Sequence, residues 1–288
     1  MRIPDAIAGA SGLTGRRRRT IAAIGGALFI TALAGPAAAQ QPLAARVTAV
    51  NNGTVQFEFP SREDACGDGH SYIRIGDSMN GSFSSTTDLS ACEPGPVRIV
   101  LDVSGGRVTR LRDYLGPVPP VAAGVTELGE QSAAEGSSYL LGLVESQDED
   151  RVSNRAVFPA MLARDVVAWP TLLRIAKADR GGRRSRKHDV VFWLGRYAAA
   201  KLNGSDDPFY ASGDGDESDQ ESVKEHAVFA LSQLQHGDGI DPLIQVARTN
   251  KDPHIRAKAL FWLGESGDPR ALDLFEEVLT GRVAAPRG

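Results

Sequence analysis

Cys66 and Cys92 are the only thiols in the chain, 26 positions apart. In an oxidising compartment such a pair most simply closes a disulfide, which on the chain-entropy model contributes roughly 3–4 kcal/mol. A structural zinc site takes about four ligands, and here only His70 stands near the two cysteines, so the metal alternative rests on a thin donor set. Gly67-Asp68-Gly69 could form an anion or metal loop, or simply a glycine-rich turn that carries the cysteine. The turn is the expected role. Asp214-Gly215-Asp216-Glu217-Ser218-Asp219 has the carboxylate density of a calcium loop. An EF-hand needs glycine at its sixth position, where Asp219 stands, although Glu225 falls at the twelfth. A solvated acidic loop ahead of a helix is expected instead. The remaining histidines are His188, His226, His236 and His254, and no Gly-x-Ser-x-Gly elbow, Walker loop or dinucleotide fingerprint occurs. The expectation is therefore a non-enzymatic protein with no catalytic residue, no cofactor and no metal.

The elements that position these residues begin with an export signal. Arg16-Arg17-Arg18-Arg19 precede an uncharged apolar run over residues 21–34, followed by Gly35-Pro36-Ala37-Ala38-Ala39. A basic region, a short apolar core and an A-x-A site, in that order, predict a cleaved signal peptide over residues 1–39, with Ala39 and Gln40 flanking the cut. The apolar run is shorter than the roughly 20 residues a bilayer span needs, so no stable membrane insertion is expected after its removal. Arg18-Arg19 also fits a loose twin-arginine pattern, which leaves the export route open.

The chain has 288 residues, 42% hydrophobic and 24% charged, which excludes wholesale disorder, collagen and a coiled-coil rod. Without residues 1–39 it carries 27 basic and 35 acidic residues, a net charge of −8. That balance argues against a nucleic-acid partner, which a basic face would have to hold. The protein is expected to be periplasmic or secreted.

Residues 42–116 read as a small β-rich domain. Val55, Phe57 and Phe59 alternate with Gln56 and Glu58, and Asn51-Asn52-Gly53-Thr54 ahead of them predicts a hairpin with a strand over 46–50. A second hairpin is expected from 97–103 and 107–111 around Ser104-Gly105-Gly106, with a shorter strand at 72–75. A core this small makes a disulfide staple reasonable. Pro117, Pro119 and Pro120 can continue neither a helix nor a ladder, so residues 117–130 read as a Pro/Gly linker.

From residue 131 to 281 the period changes to that of helices. Ala156-Val157-Phe158, Val190-Val191-Phe192-Trp193-Leu194-Gly195, Ala227-Val228-Phe229 and Ala259-Leu260-Phe261-Trp262-Leu263-Gly264 recur at spacings of 34, 37 and 32 residues. Self-similarity at this period predicts stacked two-helix units, with Phe158, Phe192, Phe229 and Phe261 in equivalent core positions. Proline opens the second helix of each unit at Pro170, Pro242 and Pro269. The second unit departs from the pattern. A polar insert over 203–220 with six acidic residues stands where its second helix should be.

These units resemble the HEAT-repeat family, including the short variety of phycobilisome-lyase-like proteins. Ile255-Arg256-Ala257-Lys258-Ala259-Leu260-Phe261 and the turn Gly267-Asp268-Pro269-Arg270-Ala271-Leu272 carry the resemblance. It implies a multi-domain, mainly α architecture: a short α-solenoid preceded by the disulfide-linked β-rich domain. It also implies a scaffold that meets a protein partner through its second helices. Arg174, Lys177, Gln245, Arg248, Asp273 and Glu277 are the candidate partner contacts. HEAT-like deoxyhypusine hydroxylases bind iron through repeated His-Glu pairs, and no histidine is followed by glutamate here. A lyase-like or other enzyme on this scaffold, and an envelope sensor with a ligand-binding β module, are the competing readings. Trp193 and Trp262 are expected in the inter-repeat core, and the basic run at 180–187 in a solvated loop.

Overall fold

The computed structural model describes residues 41–76, 78–81, 92–146, 150–178, 184–210 and 219–282. The predicted cleavage site at Ala39 and Gln40 lies outside them.

The four-stranded sheet forms around the most apolar alternating segment. Strand β1 (Gly53–Phe59) pairs antiparallel with β5 (Val97–Ser104), which pairs with β6 (Arg107–Leu115) across a turn where Gly105 and Gly106 take φ of 57° and 72°. Positive φ at both central positions is what a tight hairpin of the correct twist demands, and glycine supplies it without strain. Val55, Phe57, Phe59, Ile99, Leu101 and Leu111 are all buried. A second sheet contains β2 (Ala65–Gly67), β3 (Tyr72–Ile75) and β4 (Ser78–Gly81) in the order β2-β3-β4. The Cys66–Cys92 disulfide is formed, and Gly67 and Glu93 bridge beside it.

Two sequence expectations are corrected here. The segment expected as a strand at 46–50 belongs to helix α1 (Leu43–Ala49). Leu43 and Val47 stand four apart and are both buried, and both edges of β1 are already taken, by β5 on one side and by another strand on the other. The second edge partner is β7 (Val125–Glu130), which runs parallel to β1 inside the region read as a linker. The spacer that follows the prolines ends in a turn at 122–125, where the Val125 N–H donates to the Ala122 carbonyl. Beyond it the Gln131 N–H donates to the Glu58 carbonyl at 2.7 Å, and Arg46 donates to the Gln131 side chain at 3.0 Å.

The β-rich part does not stand as a separately cored domain. Gln41–Gly288 form one compact unit whose buried cluster runs from Leu43 to Leu279. Helix α2 (Ala133–Ser146) lies against β1, and a methyl group on Gly136 would come within 2.4 Å of the Phe59 ring, so glycine is required there. After α3 (Asp150–Met161) the chain returns to the sheet region, where Ser61 bridges Ala163 and Arg62 N–H donates to the Leu162 carbonyl at 2.9 Å.

The other helices are α4 (Trp169–Ala178), α5 (Arg184–Leu202), α6 (Asp219–Ser232), α7 (Ile240–Thr249), α8 (Pro253–Ser266) and α9 (Leu272–Leu279). Helix α8 is bounded by local chemistry. Asp252 caps its start by accepting from the His254 N–H, Pro253 occupies the first turn, and Gly267 leaves it in the left-handed region. Within the last four helices, like stacks on like in the same direction. Glu225 of α6 meets His254 of α8, Phe229 meets Trp262, and Arg248 of α7 meets Glu277 of α9. Phe158 of α3 meets Trp193 of α5 within the set α2 to α5.

The two sets do not continue one superhelix. Among the described residues, helices α5 and α8 make the most extensive helix–helix contact, and the residues paired across it show that they run in opposite directions. Gly195 meets Gly264, Arg196 lies over Phe261 at 5.9 Å, and Gly267 sits beside His188. The expectation that the four phenylalanines form one spine is therefore corrected. Phe158, Phe192 and Phe261 are half-buried and Phe229 is 44% exposed. The recurring buried residue is the one before each of them: Val157, Val191, Val228 and Leu260. The reversal brings α9 against α5 and α4, the place left empty by the second unit's missing helix.

Candidate functional site

The six predicted contact residues fall on α4, α7 and α9. Arg174 donates to Glu145 of α2 at 2.5 Å, Lys177 pairs with Glu276 of α9, and Arg248 of α7 forms two hydrogen bonds to Glu277, at 2.6 and 3.1 Å. These ion pairs bind α2, α4, α9 and α7 into one row. Helix α9 is its centre, because neighbouring Glu276 and Glu277 reach in opposite directions. The pairs are solvent-exposed, so each contributes no more than about 1 kcal/mol and can exchange for a partner's charge at little cost. Gln245 and Asp273 are exposed on the same helices.

A second constellation ties the β-rich part to the helices. Arg62 grips Asp64 at 3.0 and 2.8 Å and Asp207 at 3.1 and 2.5 Å, and its guanidinium lies 4.5 Å over the Phe209 ring. Tyr210 donates to Asp64 at 2.8 Å. Arg196 of α5 donates to the carbonyls of Pro208 and Phe209, and Phe209 packs edge-on against Trp193. Burial alone would raise the Asp64 pKa, but the hydrogen bonds from Arg62 and Tyr210 hold it below the ordinary aspartate value of 3.8. A 3-10 turn at Pro208–Tyr210, inside the acidic insert, is thus a clamp. Residues 62 and 207 stand 145 apart, and no local pattern links them.

The third feature is a cleft of about 510 Å³ where β3 and β6 meet α3, with Arg112, Asp113, Asn154 and Arg155 in its lining. Arg112 is anchored by Asp102 at 2.5 Å. Burial pushes the Asp113 pKa up, and Arg155 works against that shift. Sequence reasoning missed all four residues, because they converge from two segments about 40 positions apart and from opposite faces of an edge strand.

The other singled-out residues have structural duties. Asp68 accepts from the backbone N–H groups of His70, Ser71 and Tyr72, which makes Gly67-Asp68-Gly69 a side-chain-capped turn. Trp193 is buried, while Trp262 is half-buried under Phe229. His254 Nε2 lies 2.5 Å from Glu225, and His188 lies beside Asp189. No group of three or more metal-ligating side chains occurs among the described residues. The calcium-like stretch and the basic run fall largely outside them.

Against this geometry, residues 216–287 match the family model for HEAT repeats. The match covers the last quarter of the chain, α6 to α9. No curated protein and no solved structure matches. No helix among the described residues is long and apolar enough to cross a membrane.

Proposed function

We propose that this chain is a non-enzymatic, exported scaffold that binds a protein partner through its stacked helices. HEAT repeats generally serve as protein-interaction scaffolds, and the match over 216–287 supports that role here. The row α2-α4-α9-α7 is the observation that carries the reading. It is a rigid, solvent-facing array of alternating charge held by side chains that can change partners, with Gln245 and Asp273 exposed beside it. The short, phycobilisome-lyase-like variety is the subtype its motifs fit best. Export is supported by the basic-apolar-small leader and by the Cys66–Cys92 bridge, which is consistent with an oxidising compartment.

The test is cross-linking co-purification from the source envelope with the mature chain and with Gln245→Arg plus Asp273→Arg. The expected outcome is a reproducible protein partner whose recovery falls at least tenfold in the double variant while the melting temperature is kept. Unchanged recovery in the variant, or no partner above background, would overturn the assignment.

A further inference from the structure

Helices α1 and α2 and the hairpin of β5 and β6 enclose a pocket of about 410 Å³, within the roughly 300–1,000 Å³ of small-molecule sites. The scaffold reading makes no use of it. The α2 residues Glu135, Tyr139, Gly142 and Leu143 follow the spacing of one helical face, and all four line the pocket. Leu43 and Val47 of α1 and Val108 of β6, all buried, add an apolar floor. A Cβ on Gly142 would meet nothing within 4 Å, so this side of α2 opens onto free space rather than onto packed side chains. Glu135 is half-buried and is the one charged residue among the described residues of the lining. Its Oε1 accepts from the Leu43 N–H at 3.0 Å, and Oε2 has no partner among the described residues. Tyr139 stands one helical turn from that carboxylate, its ring edge-on to Phe57 at 5.7 Å. Burial pushes the Tyr139 phenol pKa up, so the ring stays neutral and Glu135 alone sets the charge of the pocket.

We propose that this pocket binds a small protonated amine carried on an apolar body. The ammonium pairs with the open oxygen of Glu135 beside the Tyr139 ring, the combination of carboxylate and aromatic that favours such a cation. The hydrocarbon part is buried on Leu43, Val47 and Leu143. A ligand carboxylate or phosphate would meet Glu135 with no cation in the described lining to offset it. A neutral ligand would gain only the apolar contact.

The test is calorimetric titration of the mature chain, residues 40–288, with two matched sets: tryptamine, tryptophol and indolepropionate, and hexylamine, hexanol and hexanoate. The expected result is saturable binding of the amines, at least tenfold tighter than of the alcohols or the acids. Glu135→Gln keeps an oxygen for the Leu43 N–H and removes the charge, so it should weaken the amines at least tenfold and leave the alcohols unchanged. Gly142→Leu fills the pocket from its open side and should abolish binding of every member while the melting temperature is kept. No amine binding, alcohols bound as tightly as amines, or amine binding unmoved in either variant would overturn the proposal. Should Glu135→Gln fail to fold, Ser138→Arg on the exposed lip decides in its place, with amines weakened at least tenfold if the proposal holds and unchanged if it does not.

Discussion

The last four helices and the set α2 to α5 solve the same packing problem in different ways. Helices α6 to α9 stack as two hairpins in one direction, and the partners Glu225–His254, Asp241–Arg270 and Arg248–Glu277 all stand 29 residues apart. A repeated unit makes every contact a nearest-neighbour contact, so one short sequence pattern writes the whole geometry. Helices α2 to α5 lean instead on a sheet, a disulfide and the Arg62–Asp207 clamp, none of which has a period. Regular stacking is therefore legible and portable, whereas the support under α2 to α5 is particular to this chain. The two sets meet antiparallel at Gly195 and Gly264, a crossing that neither set's repeat prescribes.

The largest effect expected falls on the irregular side. Replacing Cys66 and Cys92 together by serine should cost about 3–4 kcal/mol in urea denaturation and leave isolated α6–α9 contacts such as Phe229–Trp262 unaffected by fluorescence. An equal loss of order at Trp262 would erase the distinction between the halves. Next comes the crossing itself. A Cβ on Gly195 would lie 2.5 Å from the Gly264 Cα, so Gly195→Ala should destabilise by about 1–3 kcal/mol. Gly142→Ala on α2, where nothing lies within 4 Å, should instead gain about 0.5–1 kcal/mol. The sign difference between two helical glycines is the readout, and the same sign at both would break the account of the crossing.

The clamp makes a pH prediction. The folded pKa of Asp64 lies below its ordinary value of 3.8, so its contribution is full above that value and is lost as pH falls through the lower, folded one. Acid titration of the fold should therefore steepen below pH 3.8 in the parent and be shallower in Asp64→Asn, with the two indistinguishable in slope near neutrality. The smallest effect concerns the regular side. A double-mutant cycle on Arg248 and Glu277 should return about 0.2–1 kcal/mol, diminishing with salt.

Much of the sheet and nearly all the helices could be read from residue types. Val55, Phe57 and Phe59 alternate and are buried, and Gly105-Gly106 turns the hairpin as expected. What resisted was decided by competition between segments. Residues 46–50 carry a strand pattern, but no free edge of β1 is left for them. Val125–Glu130 looks like a linker, with one buried neighbour in Gln131, and becomes a strand because it can lie parallel to β1. The phenylalanine alignment agrees with the HEAT-repeat match over residues 216–287 and sets the core position one residue too late, since a side chain's recurrence does not say which face the next helix covers. The contact candidates Arg174, Lys177, Arg248 and Glu277 fall in one row because α9 crosses back, an event encoded only in close-fitting glycines 69 residues apart.

The central claim is that crossing back, and it can be measured as a distance. Lys201 and Lys258 each lie six residues from the crossing glycines, on the same side if α5 and α8 are antiparallel, while Arg270 lies six residues beyond Gly264 on the other side. At 1.5 Å per residue the offsets of Lys201 and Lys258 along their helices are ~9 Å each, whereas Arg270 lies past the end of α8 at Ser266. Spin labels at 201 and 258 should be closer together than labels at 201 and 270 in pulsed dipolar spectroscopy. The reverse order would mean that the helices continue one superhelix, and the row centred on α9 would not exist as described.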